Sequence, residues 1–266
     1  MRLTASIAVL AALTITVAAA GAAPLQTVTA RQLTVGVSLP SEGFEVGVAR
    51  GDQVLYAQGF DVDLARALAK RLGLARVAFV QSRFGRLFSS GAKPWDVAIA
   101  QITITDARRR TAEFTQPYLS VDQGVLAAQG VDPAPATVAD LRTLRICALG
   151  KSTGAEVARS VIAPTRPVRL VGNVPTLMLD LQTGRCQAVV YDAPSLGSLK
   201  ARAPDRYGPF VGVVRTGEQY GVALPKGSPI AGSVDAALGA LVADGTVQRL
   251  QRKWLTTDLS TLRELR

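Results

Sequence analysis

Hydrophobic and polar positions along the chain switch repeatedly between the period of a strand and the period of a helix. Alternation over residues 32–38 predicts a strand, whereas residues 61–72 place their apolar side chains on one helical face before Gly73. Further strands are predicted over residues 77–80, 96–100, 144–149 and 188–191. Further helices are predicted from Gly154, over residues 175–182 before Gly184, and over residues 234–254 with an interruption near Gly245. This alternation predicts an α/β fold with largely parallel sheets.

Two changes of composition, at residues 130–137 and 215–219, divide the chain into two units. We expect lobe 1 to contain residues 31–127 and 220–266, and lobe 2 to contain residues 128–219, so that the chain crosses between the lobes twice. Ligands of such α/β folds bind beyond the carboxyl ends of the strands. The expected site is therefore the cleft between the two lobes.

The N-terminal segment has the pattern of a secretory signal peptide. Residues 3–30 carry no charge, Arg2 supplies a positive start, and small residues follow the apolar run at Ala18, Ala20 and Ala23. We expect residues 1–23 to be the signal peptide, with an uncleaved membrane anchor as the alternative. The rest of the chain is then expected outside the cytoplasm, in the periplasm or secreted.

Composition excludes several kinds of function. The chain has no histidine, which excludes Ser-His-Asp and Cys-His catalysis and any zinc site with histidine ligands. Its two cysteines, Cys147 and Cys186, are too few for a four-thiolate metal site; outside the cytoplasm they can form a disulfide or remain free thiols. The net charge of +10 comes without basic clusters interleaved with aromatic residues, so we expect anionic small molecules rather than nucleic acid.

Residues 96–110 hold the strongest candidate for anion binding. A predicted strand is followed by two hydroxyl residues, Thr103 and Thr105, and by a basic helix start. Arg108 and Thr103 can meet one carboxylate there, because a guanidinium donates two parallel hydrogen bonds and a hydroxyl adds a third. The alternative is that the Arg108 region is a solvated helix face.

Six stretches together carry a family pattern. They are GFDVDLARALAKRL from Gly59, DVAIAQITITDARRRTAEFTQPYL from Asp96, RICALGKST from Arg145, LQTGRCQAVVYD from Leu181, EQYGVALPKGSP from Glu218 and TVQRLQRKWL from Thr246. The chain resembles the family 3 extracellular solute-binding proteins, the polar amino-acid receptors of ABC importers. The resemblance implies a two-lobed periplasmic-binding-protein fold with two interlobe crossings, a free amino acid as ligand, an importer's transmembrane subunits as partner, a monomer, and no cofactor, metal or catalytic residue.

The resemblance also implies which residues contact the backbone groups of the ligand: Arg108, Thr103, Gln101, Asp192, Ser152 and Thr153. Arg108 is the position that clamps the α-carboxylate with the Thr103 hydroxyl. Asp192 in lobe 2 and the Gln101 carbonyl accept from the α-ammonium. Ser152 and Thr153 begin a helix, where oriented donors suit an anion.

The ligand's side chain is assigned less directly, because the segment LPSEGFEVG from Leu39 departs from the family pattern. Phe44 is the candidate to cover the side chain. Arg83 and Arg86 are candidates to bind an acidic side chain, in the manner of glutamate and aspartate receptors, with a solvated position as the alternative, and Lys151 can add charge to the pocket. The alternative function is an enzyme of the same fold, such as a periplasmic cyclohexadienyl dehydratase.

Overall fold

The structure is a computed structural model that describes residues 25–131, 135–255 and 261–266, so the predicted signal peptide lies outside the described residues. Its strands are β1 (Gln32–Val37), β2 (Val46–Arg50), β3 (Gln53–Gln58), β4 (Arg76–Gln81), β5 (Val97–Ala98), β6 (Ala112–Phe114), β7 (Leu119–Ala127), β8 (Ile146–Leu149), β9 (Arg169–Val171), β10 (Ala188–Asp192), β11 (Phe210–Tyr220) and β12 (Ala223–Pro225). Its helices are α1 (Phe60–Arg71), α2 (Phe84–Leu87), α3 (Asp106–Arg109), α4 (Val138–Leu141), α5 (Thr153–Val157), α6 (Val174–Gln182), α7 (Ala193–Arg202), α8 (Ala231–Ala243) and α9 (Thr246–Trp254), and a π-helical turn, Ala158–Ile162, continues α5.

Two sheets define two lobes. The sheet of lobe 1 has the strand order β2-β3-β4-β1-β5-β12-β6, and the sheet of lobe 2 has the order β11-β7-β10-β8-β9. The α/β class and the two-lobed architecture predicted from the sequence are confirmed. Parallel pairing is confined to β4-β1-β5, at the centre of the sheet of lobe 1, and to β10-β8-β9, at one edge of the sheet of lobe 2, while the other strands pair antiparallel. The prediction of largely parallel sheets is therefore wrong, because hairpins and returning strands add antiparallel pairs to both sheets.

Helix α1 shows how the local sequence determines the first βα unit. Its apolar residues face the core of lobe 1, with acidic residues in the first turn and basic residues in the last, as the helix dipole favours. Gly59 precedes the helix at φ 128°, and a Cβ there would lie 2.1 Å from the Phe44 carbonyl oxygen. Only glycine fits this approach, which brings the first loop of lobe 1 against the start of α1.

The crossings differ from the predicted boundaries. Strand β7 lies in the sheet of lobe 2, paired with β10 and β11, although residues 119–127 were expected in lobe 1. The chain therefore crosses at the start of β7 and at the end of β11, where Leu119 and Tyr220 pack in the core of lobe 1. The C-terminal residues also return to lobe 2: Leu265 packs in its core, and its N–H donates to the Val213 carbonyl.

A disulfide joins Cys147 in β8 to Cys186, just before β10, with 5.8 Å between the two Cα atoms. Both residues are buried in the second hydrophobic cluster of lobe 2. The covalent link therefore ties two neighbouring parallel strands at the ends opposite the cleft. Of the two states left open by the sequence, the structure has the disulfide.

Candidate functional site

The turn after β5 is fixed by a hydrogen bond from its main chain to the buried carboxyl group of Asp61. Gln101 takes a positive φ of 53°, and its N–H donates to Asp61 Oδ2 over 3.0 Å. The Tyr118 hydroxyl donates to Asp61 Oδ1 over 3.2 Å. Burial raises the pKa of Asp61 to about 7, even though both hydrogen bonds act to lower it. Asp61 thus positions the backbone of the turn that carries Gln101 and Thr103, rather than only facing the helix dipole.

Arg108 lies on the short helix α3 and is only 7% exposed. The Thr105 hydroxyl caps this helix by accepting from the Arg108 N–H. The Arg108 guanidinium lies 4.3 Å from the centre of the Phe88 ring, and it donates to the Thr103 carbonyl over 2.8 Å and to the Lys151 carbonyl over 3.1 Å. Burial lowers the pKa of Arg108 from its ordinary value, and nearby carboxylates oppose that shift. A guanidinium has five N–H donors, so the contacts among the described residues leave donors for a carboxylate.

Asp192 stands at the carboxyl end of β10, where α7 begins, and is 6% exposed. Its two oxygens accept from Gln123 Nε2 over 2.7 Å and from the Tyr220 hydroxyl over 2.6 Å. Burial raises the pKa of Asp192 to about 6. Arg108 and Asp192 interact through space, but no ion pair within 4.0 Å joins them in the part of the chain that the structure describes.

Ser152 and Thr153 begin helix α5, directly after the turn that follows β8. The Ser152 hydroxyl caps the helix, accepting from the Ala155 N–H over 3.1 Å while it donates to the Leu149 carbonyl over 2.8 Å. The Thr153 hydroxyl donates to Glu218 over 2.6 Å. The Ser152 hydroxyl is therefore already engaged, and the Ser152 N–H also donates to the Leu149 carbonyl, over 3.3 Å. The Thr153 N–H, at the first helical position, is what this turn offers to a ligand.

One cavity between the lobes brings six of the predicted residues together: Gln101, Thr103, Arg108, Ser152, Thr153 and Asp192. Its remaining walls are Phe84, Leu149 and Tyr191, which the sequence did not indicate. Lobe 1 supplies Arg108 and lobe 2 supplies Asp192, so the two opposite charges face the cavity from different lobes.

Glu218 in β11 is a further acidic group at this site that the sequence did not indicate. Its Oε2 accepts from the Thr103 hydroxyl over 2.8 Å and from the Thr153 hydroxyl over 2.6 Å. It therefore joins a hydroxyl of each lobe at the crossing strand. The available signal was its position in the segment EQYGVALPKGSP, which carries part of the family pattern.

The four residues that were predicted to contact the side chain of the ligand lie outside this cavity. Phe44 is fully buried, with its ring packed against Phe60 and Tyr220 in the core of lobe 1. Arg83 and Arg86 are exposed on and beside α2. Lys151 is exposed as well; its aliphatic chain lies against Gly85, and only its carbonyl reaches Arg108.

Other contacts join the lobes directly beside the cavity. The Ser195 hydroxyl of lobe 2 donates to Gln101 Oε1 over 2.5 Å. Arg202 of lobe 2 forms an ion pair with Glu42 of lobe 1 at the same separation, 2.5 Å. The described structure is thus one in which the two lobes meet, with the cavity enclosed between them.

Among the described residues, one cluster brings together three residues of metal-ligating types: Cys147, Asp180 and Cys186. The disulfide uses both sulfur atoms, and Asp180 forms ion pairs with Arg169 and Arg185. These partners leave the cluster without free thiolates for a metal ion. No helix among the described residues has the length and apolarity needed to span a bilayer.

Known proteins resemble the chain over most of its length. The family model of the bacterial extracellular solute-binding proteins, family 3, matches residues 33–257. The L-cystine-binding protein TcyJ of Escherichia coli (strain K12) is 30% identical over 203 residues, which are 76% of this chain and 76% of that protein. The L-arginine-binding protein of Pseudomonas aeruginosa is 32% identical over 214 residues, 76% of this chain and 80% of that protein.

A solved structure extends the similarity to the fold. The ancestral amino acid-binding protein AncCDT-1, described as a precursor of cyclohexadienyl dehydratase, superposes with a TM-score of 0.70 at 28% identity. The match covers 85% of this chain and 95% of that one. These three relatives are binding proteins, and the ligands in their names differ: L-cystine for one and L-arginine for another.

Proposed function

Because this chain belongs to the bacterial extracellular solute-binding proteins of family 3, we propose that it captures a free amino acid outside the cytoplasm and delivers it to an ABC importer. The proposal includes a monomeric receptor that docks on the importer's transmembrane subunits. The observation that carries it is the pair Arg108 and Asp192, which face one cavity from different lobes without forming an ion pair with each other.

The bound amino acid completes that separated pair. Arg108 donates two hydrogen bonds to the α-carboxylate, with the Thr153 N–H at the start of α5 as a further donor. The Thr103 hydroxyl, which donates to Glu218 in the structure, turns to the carboxylate when the ligand binds. Asp192 and the Gln101 carbonyl accept from the α-ammonium. Each buried charge then has a partner that it lacks in the unliganded protein, which is the condition for a buried charge to be tolerated.

Charge pairing across two lobes also explains how a ligand favours closure. A ligand shifts a conformational equilibrium only by its difference in affinity for the two states. In an open form, a zwitterion reaches Arg108 or Asp192 but not both, whereas in the closed form it reaches both. The second contact is therefore the source of the free energy that stabilises the closed form.

The test is a thermal-shift screen of the mature protein against the twenty amino acids. A ligand at a hundred times its dissociation constant stabilises the folded state by about 2.7 kcal/mol, which is easily measured. Arg108→Ala should abolish the shift without unfolding the protein, while Arg110→Ala, at the exposed position directly after the same helix, should keep it. No shift with any amino acid, or a full shift with Arg108→Ala, would contradict the proposal.

The alternative is an enzyme on the same fold, such as a cyclohexadienyl dehydratase. Such an enzyme needs a carboxyl group free to exchange a proton with its substrate. Both oxygens of Asp192 accept hydrogen bonds from the protein, so Asp192 itself is suited to binding rather than to proton exchange. Turnover of prephenate by the mature protein, measured as loss of substrate against a protein-free control, would favour the enzyme.

A further inference from the structure

One carboxylate oxygen of Glu218 accepts hydrogen bonds from two threonine hydroxyls of the cavity. Glu218 Oε2 accepts from the Thr103 hydroxyl of lobe 1 over 2.8 Å and from the Thr153 hydroxyl of lobe 2 over 2.6 Å. The oxygen atoms of the two hydroxyls lie 3.4 Å apart. Both threonines line the cavity that Arg108 and Asp192 face from opposite sides. A carboxylate of the protein therefore holds the hydroxyl donors that suit the carboxylate of an amino acid.

Each of these hydroxyls can serve only one of the two carboxylates. A threonine hydroxyl has a single proton, and so it donates one hydrogen bond at a time. While the Thr103 hydroxyl donates to Glu218, it cannot donate to the α-carboxylate of a ligand, and the same holds for Thr153. The carboxylate of Glu218 and the carboxylate of the ligand are thus alternative acceptors for the same donors.

The main chain keeps Glu218 beside the turn of Thr103, and its side chain remains free to move. Near the end of β11, the Ile104 N–H, next to Thr103, donates over 2.8 Å to the carbonyl of Gln219, next to Glu218. Glu218 is only partly buried. Its carboxylate can therefore turn toward solvent without leaving an ion in the protein interior.

The other acidic groups of this region are engaged elsewhere. Glu45 and Asp61 are buried and accept main-chain N–H groups in lobe 1. Asp192 accepts from side chains of β7 and β11. Glu218 is therefore the acid that meets the two hydroxyls.

Glu218 also acts on Arg108 through its charge. Burial lowers the pKa of Arg108, and the negative charges of Asp192, Glu218 and Glu156 oppose that shift, in that order. A ligand carboxylate that arrives at Arg108 is repelled by the charge of Glu218, because like charges at close range disfavour each other. Neutralising Glu218 removes both a competing acceptor and a repulsive charge.

We propose that Glu218 sets the affinity of the site by competing with the ligand's α-carboxylate for the hydroxyls of Thr103 and Thr153. This inference rests on the proposed function, since it needs an amino acid whose carboxylate reaches Arg108. Binding exchanges one carboxylate acceptor for another at each hydroxyl, so these hydrogen bonds contribute little net free energy. The affinity is therefore lower than the same donors would give without Glu218.

The experiment compares Glu218→Gln with wild-type protein by isothermal titration calorimetry. The probes are the twenty free amino acids, and the dissociation constant is compared for the one that wild-type protein binds most tightly. The substitution keeps the size of the side chain and removes its charge, which makes it a weaker acceptor. Glu218→Gln should bind this amino acid about threefold to tenfold more tightly, because a strong hydrogen bond no longer has to be broken. Glu218→Ala removes the acceptor altogether; it should change the affinity in the same direction and carries the comparison if Glu218→Gln does not fold.

Glu156→Gln is the matched control. Glu156 is exposed on α5 and its charge also acts on Arg108, whereas the threonine hydroxyls donate to Glu218 instead. This substitution should alter the affinity by less than about twofold, because solvent and salt screen an exposed charge.

A double-mutant cycle separates competition from a structural role of Glu218 at the crossing. Thr103→Val removes a hydroxyl that both carboxylates use. It should weaken binding at least about threefold more in the Glu218→Gln protein than in wild-type protein, because only in wild-type protein does that hydroxyl give up a strong hydrogen bond when it turns to the ligand. A structural role predicts equal losses in the two proteins.

Weaker or unchanged binding in Glu218→Gln, or a gain no larger than that of Glu156→Gln, would overturn the inference. Equal effects of Thr103→Val in the two proteins would overturn it as well. These outcomes leave the proposed function in place, since an amino acid still binds. No binding of any amino acid to wild-type protein would overturn the proposed function and the inference with it.

Discussion

Ligand affinity should depend on pH through Asp192. Burial raises the pKa of Asp192 to about 6 in the structure with the lobes in contact, and its immediate surroundings are Arg108, Glu218, Gln123 and Tyr220. The α-ammonium needs the charged form of this carboxyl group. Because the folded-state pKa is raised, that form is lost as the pH falls through about 6, and the affinity is lost with it.

The size of the effect follows from the pKa. At about pH 8 nearly all Asp192 is ionised, whereas at about pH 5 roughly a tenth is, because one pKa unit is a factor of ten. The dissociation constant should therefore rise about tenfold between these pH values, or about 1.4 kcal/mol of binding free energy. The ligand's own α-carboxylate and α-ammonium keep their charges over this range.

Calorimetric titrations at several pH values with the best amino-acid ligand provide the assay. Asp192→Asn should bind more weakly at about pH 8 and should lack the tenfold contribution of this group, so subtracting its profile separates Asp192 from Glu45 and Asp61. An affinity in wild-type protein that is equal at both ends of the range refutes the reasoning. The same holds if Asp192→Asn shows the full wild-type decrease.

Two further predictions concern stability. The pKa values of Asp61, about 7, and of Asp192, about 6, are raised, so the folded state holds protons that the unfolded chain releases. The protein without ligand should therefore lose stability from about pH 5 to about pH 7.5, as measured by scanning calorimetry, and Asp61→Asn should reduce this loss. A stability that rises over this pH range would contradict the prediction. Replacing both Cys147 and Cys186 by serine should lower the free energy of unfolding by about 4 kcal/mol in urea titrations, because the disulfide closes a loop of 39 residues, and an unchanged midpoint would argue against that contribution.

The sequence predicted those parts of the fold in which local pattern and tertiary structure agree. Helix α1 and the break at Gly245 between α8 and α9 lie where period and turn residues predict them. Strand β7 was assigned to the wrong lobe, because alternation of apolar residues shows that a strand has a buried face but not which sheet it joins. The hairpin of β2 and β3 was not predicted at all, although Gly51-Asp52 marks its turn.

The candidate site likewise contains residues that the sequence predicted and one buried acidic residue nearby that it did not. Arg108, Thr103 and Asp192 stand next to strand ends in stretches with a clear family pattern, and all three line one cavity. Glu45 carries no such signal, since an acidic residue in a loop is ordinarily solvated and only tertiary packing shows that this one is buried.

Phe44 illustrates the opposite error. An aromatic residue in the first loop suits a ligand pocket and a hydrophobic core equally well by composition. The close approach of Gly59 to the Phe44 carbonyl turns this segment against α1, and the ring packs edge-on against Phe60. That contact depends on two segments meeting in space, which a pattern along the chain does not contain.

A crystal structure of the mature protein with its tightest-binding amino acid tests the central claim most directly. The account predicts the α-carboxylate within hydrogen-bond distance of the Arg108 guanidinium and the α-ammonium within hydrogen-bond distance of Asp192, with both lobes in contact with one ligand. A ligand held by a single lobe, or one whose carboxylate and ammonium lie away from these two side chains, would contradict it.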